Sequence, residues 1–352
     1  MSPATVGVHL VGSICGAPTT IEAITKISEN LPNHVSRIPD GEPAHRASFI
    51  GWQMGVFKQC PAALRKYDST FNSIPQPSLS SEEIESIVAQ LSSPPLHTGY
   101  DDAAIESYGD FRKLRDQGIL PQGVKFLVAL PTVMVVTCLI REGLQPEVEK
   151  LYEAAMLRDI AHIEASIPHE DLAIQFDVAG EFMTLEESYW PHFAPWWNPV
   201  KEGVVERLVR LGSIVSRDVE LGYHFCYGDM KNQHFVEPKD MGLMIEVAGM
   251  VFEEVKKKRE VNWLHMPVPK NRNDEAYFEP LKAFNLGKTE LYLGLVHAGD
   301  EEGTKLKRVE VAARFVQSDK FGVATECGLG RSPPENLGSI MEICKAVAAP
   351  IK

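Results

Sequence analysis

The stretch Gly222-Tyr223-His224-Phe225-Cys226-Tyr227 has the pattern of a short β-strand that carries two potential metal ligands. Side chains alternate along a strand, so His224 and Cys226 are expected on the same face. Cys327 follows much later in the sequence Ala-Thr-Glu-Cys-Gly. One imidazole and two thiolates form a three-ligand site with an open coordination position, as in catalytic zinc centres. The alternative is a polar strand end beside two unrelated buried cysteines, since cysteine often packs as a small hydrophobe.

Apolar, β-branched segments alternate with amphipathic segments on both sides of this strand. The eight predicted strands are 6–12, 35–38, 124–130, 172–178, 222–227, 261–266, 291–296 and 321–326. Strand–helix alternation over eight units predicts a parallel sheet closed into a (β/α)8 TIM barrel, an α/β fold. An open doubly wound sheet is less favoured, because no strand is followed by the pattern Gly-x-Gly-x-x-Gly.

Two segments do not fit a minimal barrel. The segment of about 55–120, between the second and third strands, combines a Pro/Ser-rich loop with two helical patterns. We predict a helical insertion there, within a single barrel domain that spans 1–352. The aromatic, proline-broken segment 189–197 follows the fourth strand. It could pack as a hydrophobic lid or subunit contact, or it could line a substrate pocket.

Composition and charge favour a soluble, cytoplasmic enzyme that acts on a small molecule. Among 352 residues, 35 Lys+Arg stand against 48 Asp+Glu, and the formal net charge of −13 argues against nucleic acids and anionic membranes as partners. Six scattered cysteines indicate reduced thiols. No signal-peptide pattern opens the chain, and Pro131 interrupts the longest apolar run. Association into a homo-oligomer is left open.

Polar or metal-binding residues follow every predicted strand. In a TIM barrel the chemistry lies at the carboxyl ends of the strands. In chain order these ends carry Ser13, Asp40 with Glu42, Thr132, Asp177 with Glu181, His224 with Cys226 and Asp229, His265, His297, and Glu326 with Cys327. Chance would scatter such residues over both ends of the barrel, so their position at one end strengthens the hypothesis of a metal site. The other histidines, His9 and His234 among them, are interpreted as ordinary core or surface residues.

The order of these motifs resembles the catalytic barrel of cobalamin-independent methionine synthase. That family belongs to a superfamily that includes uroporphyrinogen decarboxylase and the zinc methyltransferases acting on coenzyme M. The matching segments are Val11-Gly12-Ser13, Gln175-Phe176-Asp177, His224-Phe225-Cys226-Tyr227, Val296-His297 and Glu326-Cys327-Gly328-Leu329. They cover most of the chain, as ordered short motifs rather than close similarity.

The resemblance implies a role for each matched residue. It implies that Ser13 contacts a thiol substrate, that Asp177 holds the substrate amine and that His297 donates a proton. It also implies a zinc ion bound by His224, Cys226 and Cys327.

The chain departs from the family at several positions. Leu264-His265-Met266 stands where the methionine synthases have a glutamate ligand, so His265 is a candidate fourth ligand, with a supporting or substrate-binding role as the alternative. Val178-Ala179 replaces the acid–proline pair that follows the fourth-strand aspartate. The segment 131–137 lacks the tryptophan on which folate stacks in the family. We therefore expect a stand-alone relative, without the folate-binding N-terminal half, that uses a changed substrate.

Charged residues cluster after the second strand, in a segment without a counterpart in the family. Asp40, Glu42 and Arg46 could recognise a polar substrate, or they could form an ion-pair network across the barrel mouth. Their position near strand ends makes Glu181 and Asp229 further candidates for substrate binding.

These observations favour a zinc-dependent transferase that moves a methyl or related alkyl group to a zinc-activated thiol, without folate. Asp177 would orient the acceptor and His297 would handle a proton. The alternative is a zinc-dependent lyase or hydrolase that acts on a small polar substrate at the same site. A metal-storage protein is disfavoured, because structural sites usually close with four ligands at short spacing.

Overall fold

The computed structural model describes residues 4–69, 72–188, 194–228 and 233–351. Eight parallel strands form one curled sheet of a TIM-barrel-like α/β fold, in the order β1-β8-β7-β6-β5-β4-β3-β2. They are β1 Ala4–His9, β2 Arg37–Pro39, β3 Lys125–Pro131, β4 Leu172–Val178, β5 Glu220–Phe225, β6 Trp263–Pro267, β7 Glu290–Val296 and β8 Lys320–Thr325. The two outer strands of the sheet are β1 and β2, and they lie close together. Val8 N of β1 donates a hydrogen bond of 2.7 Å to His34 O, which lies just before β2. All eight predicted strands are present, with ends shifted by a few residues.

Helices follow the strands along the chain. They are α1 Thr20–Asn30, α2 Ser81–Ser92, α3 Tyr100–Asp116, α4 Val133–Thr137, α5 Gln145–Ser166, α6 Gly180–Leu185, α7 Val200–Ile214, α8 Gly242–Val255, α9 Glu275–Phe278, α10 Glu301–Gly303, α11 Glu310–Ala312 and α12 Asn336–Val347. The side chain of Thr19 caps α1 by accepting a hydrogen bond from Glu22 N. No helix in the described ranges is long and apolar enough to cross a membrane.

The connection between β2 and β3 is the longest in the fold. It contains a 3-10 segment, Ala44–Phe57, and a two-stranded hairpin of Lys66–Tyr67 and Ser73–Ile74, followed by α2 and α3. Helix α3 packs against α1, α5 and β3, so it occupies the place of an ordinary crossover helix. Both helical patterns predicted within about 55–120 are present as α2 and α3, but the insertion itself stays a prediction.

A packed layer fills the sheet interior beneath the strand ends. It contains Trp263, and the guanidinium of Arg37 lies 4.1 Å from the centre of the Trp263 ring. Arg37 also pairs with Glu220 at 2.6 Å and with Glu290 at 2.9 Å. A Cβ atom at Gly222 would lie 1.9 Å from Trp263, so glycine is required in β5 opposite this ring.

The aromatic segment 189–197 is described only from residue 194 onward. Trp197 packs on α7: its Nε1 donates to Val200 O at 3.0 Å, and the guanidinium of Arg207 lies 3.8 Å from its ring centre. The described end of this segment therefore contributes to packing against a helix.

Candidate active site

Strands β5 and β8 bring His224, Cys226 and Cys327 together at their carboxyl ends. One potential ligand atom of each residue lies within 4.8 Å of those of the other two. The sulfurs of Cys226 and Cys327 are 3.7 Å apart, and neither cysteine forms a disulfide bond with a described residue. His224 and Cys226 are buried, whereas Cys327 is partly exposed. The three residues predicted as metal ligands therefore form one cluster with a single accessible side.

Hydrogen bonds fix the orientation of the His224 ring. His265 Nε2 lies 3.0 Å from Thr325 O, to which it must donate, so the Nδ1 of a neutral His265 is an acceptor. His224 Nδ1 lies 2.6 Å from that atom and donates to it. Burial lowers the pKa of His265 to about 3 and that of His224 well below its usual value, so both rings are neutral. The lone pair of His224 is therefore on Nε2, which is buried without a hydrogen-bond partner among the described residues.

The same bonds determine what His265 can do. This histidine was a candidate fourth ligand from its sequence position, yet both of its ring nitrogens are engaged, one by His224 and the other by Thr325. It lies beside the cluster and orients His224.

The cluster has the donor spacing and charge that suit a soft divalent cation. Two metal–sulfur bonds of about 2.3 Å at a tetrahedral angle separate the sulfurs by about 3.8 Å, close to the 3.7 Å between Cys226 and Cys327. The neighbouring Cys327 thiol and burial raise the pKa of Cys226 well above its usual value. Two adjacent thiolates need a compensating positive charge, and a bound cation would supply it.

Asp177 lies at the end of β4, next to this cluster. It is 5% exposed and pairs in register with His224 of β5. Gln175 Nε2 donates a hydrogen bond of 2.8 Å to its Oδ1. Burial and the nearby Glu42 carboxylate raise the pKa of Asp177 well above its usual value. The Gln175 side chain is itself held by His9 at 2.8 Å, so a predicted ordinary core histidine supports the site.

A small cavity of about 20 Å³, room for about one water molecule, lies beside Asp177. Asp40, Glu42 and Arg46 line it, as predicted for substrate recognition. Arg46 donates to Asp40 Oδ2 at 2.6 Å, so the predicted ion pair is also present. Burial and Asp40 raise the pKa of Glu42 to about 7, although a hydrogen bond with Ser13 opposes the rise.

Ser13 joins this cavity to the loop that follows β8. Its Oγ accepts a hydrogen bond of 2.9 Å from Gly330 N, and its carbonyl accepts one of 2.8 Å from Leu329 N. A side chain at Gly328 would collide with Ser13 Oγ, at 2.5 Å from a Cβ atom. The predicted thiol-contacting serine therefore lies between Glu42 and the segment that carries Cys327.

A larger cavity, of about 590 Å³, opens beside Cys327. His297 lines it and donates from Nε2 to Val268 O at 3.0 Å, which leaves Nδ1 facing Glu326 Oε2 at 3.6 Å. Burial and the positive charge of Arg308 lower the pKa of His297 to about 3. His297 is therefore neutral at ordinary pH, with a lone pair on Nδ1.

His234 also lines the larger cavity, and sequence reasoning missed it. Burial lowers its pKa, but hydrogen bonds and charge from Glu326 and Glu237 outweigh burial and raise the pKa to about 9. Its Nε2 lies 3.3 Å from Glu326 Oε1. His234 follows no predicted strand directly, so no strand-end signal could have revealed it.

The remaining predicted substrate-binding residues are Glu181 and Asp229. Glu181 is in α6, 1% exposed, and is not part of the lining of either cavity. Its carboxylate oxygens lack a hydrogen bond of normal geometry within the described ranges, and burial raises its pKa to about 7. Asp229 lies outside the described residues.

Solved structures with the same overall fold include two methyl-transfer proteins. A B12-independent methionine synthase from Shewanella sp. W3-18-1, in complex with selenomethionine, is 14% identical; the match covers 98% of this chain and 96% of that chain, with a TM-score of 0.53. A methyltransferase from Methanosarcina mazei is 11% identical over 98% of this chain and 94% of that chain, also with a TM-score of 0.53. No protein-family model and no curated protein matches the sequence. The likeness establishes that this chain shares the overall fold of these two proteins, as the sequence predicted.

Proposed function

We propose that this protein is a zinc-dependent methyltransferase whose acceptor is a small thiol. The observation that carries the proposal is the cluster of His224, Cys226 and Cys327, with its 3.7 Å sulfur separation and the unpartnered Nε2 of His224. These three side chains would hold the zinc ion, and His265 would act as a positioning residue. When bound, zinc lowers the pKa of an acceptor thiol and so makes it nucleophilic at neutral pH.

The larger cavity is suited to the thiol acceptor. Cys327 and His297 both line it, so an acceptor bound there lies beside the cluster and beside a neutral imidazole. Because His297 Nε2 is bonded to Val268 O, its Nδ1 would accept a hydrogen bond from the entering thiol and help it to lose its proton. His234 and Glu326 would then hold the polar groups of the acceptor.

Asp177, which lines the small cavity, would orient a polar group of the substrate. Gln175 fixes one of its oxygens, and Asp177 lines the small cavity together with Glu42. We propose that Ser13, Asp40, Glu42 and Arg46 complete this binding surface, while nucleic acids and membranes are not expected as partners. The two solved structures of methyl-transfer proteins support methyl transfer as the reaction class.

A zinc-dependent lyase or hydrolase is the second candidate. The observation that favours it is the polar group of His234, His297 and Glu326 beside Cys327, which could handle the protons of an activated water molecule. An active hydrolase would consume a substrate without any thiol present, whereas a transferase needs the thiol.

The proposal is tested by metal analysis followed by a thiol screen. Protein purified without added metal is expected to hold about one zinc per chain, and cobalt-substituted protein should change its visible spectrum when an acceptor thiol binds. Mass spectrometry should then detect methylation of that thiol in the presence of a methyl donor. Absence of zinc, together with an unchanged cobalt spectrum for every thiol, would contradict the proposal.

A further inference from the structure

We propose that Arg308 is a positioning residue of the active site, which joins the loops after β6 and β7 and so fixes the ring of His297. The bonds that hold the ring are independent of the reaction, whereas the effect of Arg308 on turnover rests on the proposed function. Arg308 does not line either cavity, so it acts on a substrate only through the residues that it holds.

The Arg308 side chain is buried near the carboxyl end of β7, where it is 1% exposed. Its Nε donates to Leu295 O at 2.9 Å, and its Nη1 donates to Lys270 O at 2.8 Å. Its Nη2 donates to Asp300 Oδ2 at 2.8 Å and to Thr304 Oγ1 at 2.9 Å. A planar guanidinium holds such acceptors in fixed directions. One side chain therefore sets the relative position of the two loops.

These two loops determine where the His297 ring lies. His297 follows β7 directly, and Asp300 N donates to His297 O at 3.2 Å. The loop after β6 supplies Val268 O, which accepts the hydrogen bond of 3.0 Å from His297 Nε2. Lys270, whose carbonyl Arg308 holds, lies two residues beyond Val268. The separation of the ring nitrogen from its carbonyl acceptor thus depends on the bonds that Arg308 makes to both loops.

The helical turn that carries Arg308 is adapted to this contact. It lies within a π-helical segment, Thr304–Val309. Such turns hold an extra residue and are found mostly as single turns at functional sites. Gly303 precedes the segment, and a Cβ atom there would lie 2.3 Å from Asp300 Oδ1. Glycine at this position therefore leaves the Asp300 carboxylate free to pair with Arg308.

The bond to Val268 O decides which nitrogen of His297 carries the proton. Glu326 Oε2 lies 3.6 Å from His297 Nδ1, and its negative charge attracts the ring proton to that nitrogen. The Val268 bond keeps the proton on Nε2 and the lone pair on Nδ1. A ring with its proton on Nδ1 could not accept a hydrogen bond there from an entering thiol. Arg308 therefore maintains the tautomer that the proposed reaction needs.

The test compares Arg308→Lys with Arg259→Lys in the whole protein. Lysine keeps the positive charge but loses the fixed donor directions of the guanidinium. Arg259 is the matched control, because it is 6% exposed and donates to Val215 O at 3.0 Å and to Ser216 O at 2.6 Å without lining either cavity.

Nitrogen-15 NMR of labelled histidines measures which ring nitrogen carries the proton. The His297 signal is identified by its loss in His297→Gln protein. We expect a single Nε2-protonated tautomer in the parent and in Arg259→Lys, and a mixture of both tautomers in Arg308→Lys. Asp300→Asn, which keeps the shape of one Arg308 partner and removes its charge, should shift the mixture in the same direction by a smaller amount.

Turnover of an identified thiol gives a second, independent measurement. We expect kcat to fall by about 10- to 100-fold in Arg308→Lys, the usual effect of a misplaced reacting group, with zinc content unchanged. In a His297→Gln background the same substitution should lower kcat no further, because Arg308 acts through that ring.

Each outcome decides the proposal. A single His297 tautomer in folded Arg308→Lys and Asp300→Asn proteins would overturn it. An equal loss of kcat with and without His297 would also overturn it, since Arg308 would then stabilise the fold in general. Mixed tautomers in Arg308→Lys, in a protein that methylates no thiol, would support the positioning of the ring and contradict the proposed function alone.

Discussion

The Nδ1 atoms of His224 and His265 lie 2.6 Å apart, and His265 Nε2 is bonded to Thr325 O at 3.0 Å. A main-chain carbonyl of β8 thereby determines, through one imidazole, which nitrogen of the next imidazole carries a lone pair. Metal-binding histidines commonly depend on such a partner for the orientation and basicity of the ring. These hydrogen bonds link β6 and β8 to His224 on β5, so three strands determine the orientation of one imidazole ring.

We expect His265→Asn to weaken metal binding by about 10- to 100-fold, the usual effect of losing an orienting partner. Chelator competition measures the affinity, and His169→Gln, a histidine on the far side of the sheet near Asp218, is the matched control. If His265 were instead a direct ligand, its loss would also alter the coordination bands of the cobalt-substituted protein. Unaltered bands with weaker binding identify a positioning residue.

Cys327→Ser is expected to abolish most metal binding, because a hydroxyl is a poor substitute for a soft thiolate donor. Cys60→Ser is the control, since Cys60 also lacks a disulfide bond but is buried in the hydrophobic core. The measurement is metal content per chain after dialysis against a weak chelator. Equal zinc retention in the two variants would contradict the assignment of the cluster.

The strand pattern and the cluster of His224, Cys226 and Cys327 could be predicted because both depend on local periodicity and strand order. Alternation along β5 puts His224 and Cys226 on one face, and the carboxyl ends of parallel strands meet at one end of the sheet. The relay through His265 could not be predicted, because it depends on where a carbonyl of β8 lies. Its sequence position suggested a ligand, whereas the hydrogen bonds favour a supporting role.

The small cavity could be predicted only in part. The charged residues after β2 were recognised, but Trp52 belongs to a 3-10 segment without regular periodicity, and Tyr100 begins a helix far along the chain. Their contact depends on how the long β2–β3 connection folds back on the strand ends. Glu181 was predicted from proximity to a strand end, yet the first turn of α6 carries it away from both cavities.

Methyltetrahydrofolate is expected to be a poor methyl donor for this protein. The segment after β3 runs directly into α4 with Val133, Met134, Val135 and Val136, so no aromatic ring is available there for a pterin to stack on. The assay follows methionine formation from homocysteine with that donor at saturating concentration. Efficient turnover would show that another surface replaces the missing ring.

Asp177→Asn and His297→Gln should retain the metal and lose turnover. Neither residue belongs to the ligand cluster, but each lines a cavity beside it. Removing a group that transfers a proton typically costs about 10²- to 10⁴-fold in rate, so His297→Gln should lower turnover by that range. Asp319→Asn, an exposed residue, is the control. If both variants unfold and lose zinc, their role is structural; if both stay fully active, the mechanism is wrong.

Glu181→Gln should stabilise the protein at alkaline pH and leave it nearly unchanged at pH 4.5. Burial raises the pKa of Glu181 from 4.5 to about 7, so the folded state retains a proton that the unfolded state releases between these values. Stability contributed by this group is therefore complete below pH 4.5 and lost as pH rises to about 7 and beyond. Glutamine is a neutral amide of similar shape and does not suffer this loss. The free energy of unfolding of Glu181→Gln should therefore be higher by roughly 1–3 kcal/mol at pH 8.

Thermal unfolding of Glu181→Gln and the parent protein at pH 4.5 and pH 8 measures this difference. The control is Glu342→Gln. Because the Glu342 side chain is exposed, this substitution should change the midpoint temperature of unfolding only slightly at either pH. A midpoint that rises at pH 8 alone indicates a buried carboxylate that the fold tolerates at a cost in stability. A midpoint that falls at pH 8 would mean that the carboxylate is held by a cation or donor in the native protein, and would return Glu181 to the candidates for substrate binding.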